Sequence, residues 1–524
     1  MSSLMFSGCN DYLKEDSGDL LIPGKVDEFA SMLYTEGYPR SFNDDVDWFV
    51  LMTDDVEMSQ LETDEGDADL MAEKMWDTFD SYKGGEGYEA YSWKQKIALP
   101  ERFWNSRYEN ILACNAVIDA LPTMDTEGDE AKYNYLAAQA YAMRAYNYWC
   151  LVNTYALPWS EANLGKPGVV LRLAPQIDTA PKSRATIGEV YRQINEDIAQ
   201  AEKYIADSYA PGNKHLLTAP AIYLLGTRIA LFQEKWDEVI RLGELFAGKN
   251  GYYVYNLNNV KESALDIDES DTAFHIMNGK INDEILFTFG TASSYFFTYN
   301  YLAANISSRY GLGFRPSRSG GNSLLESFEA GDLRRKVWFA KDREAVEPDP
   351  DMWWESRKPK VCCYDYPVKY RRTQDADAQT PSQKNYHENW RSVEVLLNVA
   401  EAMVRKNSSI SQEAISLLNT LRRNRFDSSY TELTAGSFAS ADDLVKFIWA
   451  ERRRELCFEE AMRFWDLRRQ GMPAIEHRWY GSRDKYETYT LPQGSPNYVL
   501  AIPADELDYN DGCVNNSRDI ITAK

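Results

Sequence analysis

The sequence predicts a mainly α-helical chain in which paired helices build a scaffold that carries an irregular, loop-rich half. Three observations predict it. Apolar residues recur at helical spacing through 101–121, 129–155 and again beyond 389. Two helix–turn–helix junctions rich in small residues lie near 230–240 and 400–418. Between them, 250–385 loses the helical period, and Gly, Pro, Asn and short alternating runs take over.

Taken in order, residues 10–40 read as a linker entering a helix, with Pro23-Gly24 as punctuation and Val26 to Tyr34 as the periodic part. Residues 41–95 are irregular, acidic and aromatic. The next helix, 101–121, shows Phe103, Trp104, Tyr108, Ile111, Leu112, Val117, Ile118 and Leu121 on one stripe, and Pro122 ends it. A second long helix, rich in Ala and Tyr, runs over 129–155 and stops at Leu157-Pro158. Thr186 is placed to cap a third, to about Asp207. Residues 219–233 and 235–248 make a helix pair. Glu284 to Phe289 looks like a strand. Helices resume at 389–406, 411–425 and 440–470, and the tail 471–524 is loop-rich.

The pair around Ala230-Leu231-Phe232-Gln233-Glu234-Lys235-Trp236 and the pair around Ala400-Glu401-Ala402 and Gln412-Glu413-Ala414-Ile415 both look like tetratricopeptide junctions. About 160 residues of irregular chain separate them, so this is no plain tandem array.

Composition narrows the function. The chain has 524 residues, 57 basic against 81 acidic, and a net charge of −24. That field repels a phosphate backbone, so nucleic acid is a poor candidate partner, and anionic lipid surfaces are disfavoured for the same reason. No apolar run is long enough to span a membrane. Four scattered histidines (His215, His275, His387, His477) argue against a His-ligated metal centre or a Ser-His-Asp hydrolase. Aromatics are 13% of the chain, with 34 Tyr and 14 Trp, side chains suited to wet recognition surfaces.

Cys9 follows Leu4-Met5-Phe6-Ser7-Gly8, the form of a lipoprotein cleavage box; the alternative is an ordinary free thiol. Cys114, Cys150 and Cys457 fall on apolar helical faces and read as buried thiols. Cys362 and Cys363 are adjacent, with nothing to support a disulfide. No CxxC spacing exists for a structural zinc.

Several segments, in order, resemble one family, the SusD/RagB-like outer-membrane nutrient-binding lipoproteins. The strongest runs Glu451-Arg452-Arg453-Arg454-Glu455-Leu456-Cys457-Phe458-Glu459-Glu460-Ala461-Met462-Arg463-Phe464-Trp465-Asp466-Leu467-Arg468-Arg469. Leu500-Ala501-Ile502-Pro503 with Glu506-Leu507 and Asn510 is similar to the family's closing motif. Gly331-Asp332-Leu333-Arg334, the run Arg144-Ala145, Tyr148, Leu151-Val152, Tyr155 and Pro158, and Trp104, Tyr108, Ile111, Asn115 and Ile118 also fit. Ala156 replaces a turn glycine, Glu460-Ala461 replaces the glycine after Phe-Glu, and Asn515-Asn516 replaces the closing Asn-Pro.

The resemblance implies a tetratricopeptide-like scaffold from 10–248 and 386–470, with a loop-rich portion from 249–385 and 471–524, all in one domain from 10 to 524. It makes 1–9 the remnant of a lipoprotein signal, with Cys9 the lipid anchor at the cell surface of the outer membrane. It implies non-catalytic capture of an extracellular oligosaccharide or polysaccharide and delivery to a SusC-like, TonB-dependent transporter. Peptide capture on the same scaffold (RagB-like), or a protein-interaction scaffold, are the alternatives.

The chemistry agrees with binding rather than catalysis. Glu451, Glu455 and Glu459 share a face with interleaved arginines, a spacing that gives ion pairs, and arginine lowers a carboxyl's pKa, the wrong direction for a general acid. Sugars stack their C–H faces on Trp and Tyr, and loop rings are freer to serve than helical ones. The candidate ligand-binding residues are therefore Trp76, Tyr82, Tyr91, Trp93, Tyr295, Tyr299, Trp353, Trp354 and Asp80, with Lys83 and Arg309 as weaker polar candidates. Tyr141, Tyr146, Tyr148 and Trp149 sit at core spacing. No cofactor is expected; the acidic run Asp64-Glu65-Gly66-Asp67-Ala68-Asp69 reads as a solvated loop, with a surface calcium ion as the lesser reading.

Overall fold

A computed structural model describes residues 23–39, 46–58, 83, 86–97, 100–176, 180–206, 208, 212–260, 282–289, 314–318, 322–341, 365–367, 388–482 and 485–524. Helices dominate: α1 (Val26–Met32), α2 (Glu86–Tyr91), α3 (Pro100–Ala120), α4 (Glu130–Tyr155), α5 (Ile187–Ala206), α6 (Ala219–Phe232), α7 (Trp236–Asn250), α8 (Arg334–Val337), α9 (Ser392–Asn407), α10 (Gln412–Arg423), α11 (Ala441–Leu456), α12 (Met462–Arg469) and α13 (Ala504–Tyr509). Short strands pair in antiparallel twos: β1 (Val56–Met58) with β3 (Phe314–Pro316), β2 (Ile285–Phe289) with β6 (Glu388–Arg391), β4 (Phe339–Lys341) with β5 (Asp365–Pro367), and β7 (Ile475–Ser482) with β8 (Lys485–Leu491).

The helices begin where polar caps stop them. Thr186 Oγ1 accepts from the Glu189 amide at 3.2 Å while Glu189 accepts from the Thr186 amide at 2.8 Å, a reciprocal capping box that starts α5. Thr218, Ser411 and Ser440 cap α6, α10 and α11, each hydroxyl accepting one backbone N–H of the first turn.

The two helix–turn–helix pairs, α6–α7 and α9–α10, lie side by side although far apart in sequence, with α9 packed on both α6 and α7. Glycine permits the close approach. A Cβ on Gly226 would stand 2.8 Å from Leu242 Cδ1, and one on Gly243 only 2.3 Å from Val399 Cγ2. Trp149 of α4, Trp465 of α12 and Phe232 of α6 meet edge to face at 4.7 and 5.0 Å and centre the core. Tyr146, Tyr148 and Trp149 are buried, and Tyr141 stacks on Tyr204 at 6.0 Å, so this helix face packs as its spacing predicts. Cys114, Cys150, Cys457 and Cys513 are buried thiols. Burial pushes Cys114 and Cys150 up to about 12, which leaves them unreactive.

Two expectations need correction. The helix expected over 440–470 is broken at 457–461, where Phe458 and Glu460 adopt left-handed backbone at φ 60° and 45°. The tail is not all loop: β7 and β8 form a hairpin, and α13 follows.

The arginine-rich helices bury their charges. Arg334 bonds Asp332 at 2.7 Å and Glu455 at 3.1 Å; Arg391 bonds Glu284, Glu455 and Glu459; Arg425 bonds Glu284 and Glu455. Burial alone would raise the Glu455 carboxyl, but Arg425, Arg391 and Arg334 outweigh it and hold it well below the usual range. Arg334, Arg454 and Arg422 hold Glu451 down likewise. These glutamates lock elements together and are in the wrong state for a general acid.

Candidate functional site

The outstanding site candidates fall in three stretches that adjoin described strands. Met58 pairs with Phe314 across β1 and β3, and Lys341 pairs with Asp365 across β4 and β5. Strand β3 adjoins β5, and β1 adjoins β7. Strand β1 precedes 59–82, β3 follows 290–313, and β4 and β5 flank 342–364, so each stretch abuts this strand frame at one end at least. Trp76, Asp80, Tyr82, Tyr295, Tyr299, Trp353 and Trp354 themselves lie outside the described residues, as do Cys9, Arg309, the acidic run 64–69, Cys362 and Cys363.

Tyr91 and Trp93 are described, and the structure overturns their assignment. Both are fully buried. His477 of β7 is sandwiched between them, 4.1 Å from the Tyr91 ring and 4.2 Å from the Trp93 ring, nearly parallel to each. The Tyr91 hydroxyl accepts from the Met58 amide at 2.9 Å, and Trp93 Nε1 donates to the Met52 carbonyl at 3.0 Å. Each ring has a partner on its face and on its polar tip, so neither is available to a sugar. The hairpin is the cause: it covers the 86–94 segment, and reading the tail as loop hid that cover. The signal was present as the alternation Ile475, His477, Trp479 with Tyr489 and Leu491, all buried.

The same alternation turns other side chains outward. Tyr486 is 47% exposed, and Arg478, its diagonal neighbour across the hairpin, lies 4.8 Å from its ring centre. Tyr480, directly opposite, tilts against Tyr486 at 5.4 Å. On the opposite face of the hairpin Lys83 pairs with Glu487 at 2.8 Å, and the Tyr489 hydroxyl donates to the other Glu487 oxygen at 2.6 Å. Lys83 and Tyr489 together hold Glu487 below the usual carboxylate range. The hydroxyls of Tyr88 and Tyr489 meet at 2.7 Å, with Lys94 over both rings at about 5 Å. Tyr486 and Arg478 thus form an outer edge of the hairpin, while Tyr88 and Lys94 pack on its opposite face, where Lys83 at the end of the first candidate stretch bonds Glu487. Sequence reasoning singled out none of these four as a binding residue.

Behind the edge, Arg453 and Arg463 grip Asp54 and Asp55 just before β1, with Arg463 Nη2 to Asp54 at 2.7 Å and Arg453 Nε to Asp55 at 2.7 Å. Burial would raise Asp54, but the two arginines hold it well below its usual range; at Asp55 burial and the neighbouring Asp54 charge win and push it up. Among the described residues no group of His, Cys, Asp and Glu could hold a metal ion, and no helix is long and apolar enough to cross a membrane.

Fold and frame together define a class: a helical scaffold of paired helices that carries a small strand frame. The chain belongs to the SusD family. Residues 41–231 match the family model described as starch-binding associating with outer membrane, and residues 363–518 match the model of the SusD family. A SusD-like protein, P2, of Formosa agariphila is 25% identical over 438 residues, 79% of each chain. Among solved structures, a SusD superfamily protein of Bacteroides thetaiotaomicron superposes with a TM-score of 0.67 at 19% identity, covering 94% of this chain and 100% of its own. A SusD-like carbohydrate binding protein of Bacteroides vulgatus gives 0.62 at 19% identity, covering 94% and 98%.

Proposed function

We propose that the protein captures an extracellular oligosaccharide at the outer-membrane surface without cleaving it, and hands it to a SusC-like, TonB-dependent transporter. Lipidation at Cys9 would tether it there. The observation that carries the reading is that three aromatic-bearing stretches each abut one strand frame, in a chain of a family whose matching model is described as starch-binding. The Bacteroides vulgatus neighbour, named a carbohydrate binding protein, supports it. Rings from those stretches (Trp76, Tyr82, Tyr295, Tyr299, Trp353, Trp354), with Tyr486 at the edge, would stack on sugar faces, while Asp80 and Arg478 bond hydroxyls. The arginine-locked state of Glu451 and Glu455 supports binding without hydrolysis.

Affinity electrophoresis against a panel of neutral polysaccharides tests this. One glycan should retard the wild type. Trp353→Ala/Trp354→Ala and Tyr486→Ala should each weaken the retardation by about threefold to tenfold, the worth of a stacking ring. Retardation by no glycan sinks the sugar reading; a peptide panel then decides the rival ligand class.

A further inference from the structure

On α13 and the turn that follows it, two apolar side chains stand out into solvent: Tyr509 is 85% exposed and Val514 69%. Single exposed apolar residues are common on any surface. Here the backbone beneath them is held from both sides. The Cys513 amide donates to the Asn510 carbonyl at 2.9 Å and closes a turn over 510–513, which brings its two ends within about 7 Å. Asn510 and Cys513 are buried, and the residues flanking them, Tyr509 and Val514, are the ones left outside. The Asn510 side chain accepts from the Lys182 amide at 2.8 Å and donates to the Lys182 carbonyl at 2.9 Å and to Glu506 at 2.7 Å. Arg184 holds the Val514 carbonyl at 2.9 Å, and the Asn516 amide grips the Tyr155 and Leu500 carbonyls at 2.7 Å each. The pair is therefore displayed on a backbone that is already ordered, so a partner meeting it loses little entropy in fixing it.

The surroundings select the partner's chemistry. Asp505, Asp508 and Asp511 are all exposed. Asp505 lies one helical turn before Tyr509, Asp508 precedes it, and Asp511 sits in the turn. Among the described residues none of the three has an ion-pair partner. The neighbouring segment 170–176, tied to α13 by Arg172 and Glu506 at 3.6 Å, adds Leu173, 44% exposed. An apolar pair inside an acidic rim fits a surface with a hydrophobic pocket and basic side chains around it. A second copy of this chain does not fit, since it would bring the same acids and a net charge of −24. Anionic lipid is repelled in the same way. A stable interface buries about 800 Å² a side, so Tyr509 and Val514 would anchor a wider contact rather than make up all of it.

We infer that this knob is where the protein docks on its transporter, with the Tyr509 ring in an apolar pocket of the transporter's outer surface and basic residues, lysine among them, against Asp505, Asp508 and Asp511. The inference rests on the transporter reading above and does not depend on which glycan is captured. Binding of the full chain to the purified SusC-like transporter in detergent tests it. Raising sodium chloride from about 0.05 to 0.5 M should weaken the wild-type complex severalfold, because the acids are exposed to screening. Tyr509→Ser should bind about tenfold more weakly, the loss expected of an anchor residue. Asp505→Asn/Asp508→Asn/Asp511→Asn should weaken binding about fivefold at low salt and lose most of the salt dependence. Carbodiimide coupling, which joins a carboxylate to an amine as an amide with loss of water, should link one of the three acids to a transporter lysine. Every substituted side chain is exposed, so an unchanged urea midpoint would certify the variants as folded. A Tyr509→Ser complex as tight as the wild type, or no coupling at any of the three acids, would overturn the inference and leave the transporter reading standing. No complex between the wild type and the transporter would overturn both, while glycan retardation would still judge capture on its own.

Discussion

At the scale of single residues, His477 sets the terms of the ligand frame. Its Nδ1 faces the Tyr91 carbonyl at 2.7 Å and its Nε2 the Thr53 carbonyl at 2.9 Å, while two rings cover its faces. Two carbonyls, and the charge of nearby Asp54, favour the imidazolium. Burial opposes it more strongly and pushes the ring down to about 4. The sign follows. The unfolded chain takes up the proton near 6.5, the folded chain only near 4, so the histidine's contribution to stability is complete above pH 6.5 and is lost as pH falls toward 4. The full difference is worth ~3 kcal/mol. Urea midpoints measured from pH 7.5 to 4.5 should fall accordingly in the wild type, and the slope through this window should flatten in His477→Gln. An equal slope in both proteins would show that another group sets it. The residue also explains why Tyr91 and Trp93 misled sequence reasoning: aromatics in an irregular stretch look available until the segment that covers them is known, and here that segment is nearly 400 positions away.

At the scale of elements, the turns of the two helix pairs carry the repeat signal in their backbone. Glu234 ends the α6 turn at φ 55° and Ser408 caps α9 at φ 47°, both left-handed and both exposed. A glycine relieves that conformation. Ser408→Gly is therefore expected to raise stability by about 1 kcal/mol, read as a higher urea midpoint with unchanged slope. Gly243 predicts the reverse. In an exposed helix Ala would be the better residue by about 1 kcal/mol, but here its Cβ would run into Val399, so Gly243→Ala should cost about 1–3 kcal/mol. A neutral result would mean that α7 and α9 can slide apart. Helices of this kind were legible because a 3.6-residue stripe, a cap and a stop all agree locally. The departures from the family pattern also resolve here. Ala156 stands at φ −129°, extended backbone that needs no glycine. Glu460 does sit at a left-handed position, and it binds Arg228 at 3.1 Å and the Tyr146 hydroxyl at 2.9 Å, contacts a glycine could not make. The hairpin and the broken α11–α12 junction were not legible in the same way. The first needed its alternation read through a tail taken as loop, and the second depends on partners remote in sequence.

At the scale of the whole molecule, the buried charges join parts of the chain that local structure would leave independent. Arg453 and Arg463 tie α11 and α12 to Asp54 and Asp55 at the root of β1, while Glu455 of the same helix gathers Arg334, Arg391 and Arg425 from three other segments. Helical scaffold and ligand frame should therefore unfold together. Tryptophan emission, which includes Trp93 in the frame, and helical circular dichroism should report coincident urea transitions. Glu455→Ala leaves three guanidinium groups short of a carboxylate in a dry interior, and breaking such a pair costs about 3–5 kcal/mol, so both transitions should move down together by that much. Sodium chloride from 0.05 to 0.5 M should change the wild-type midpoint little, because screening acts on exposed charges and these are covered. A frame signal lost before the helical signal, or a Glu455→Ala effect confined to one probe, would mean that the network stabilises only its own neighbourhood. Coupling of this kind also bears on capture: a frame locked to its scaffold meets a glycan with its loop roots already in register, so that less of the stacking energy goes into ordering them.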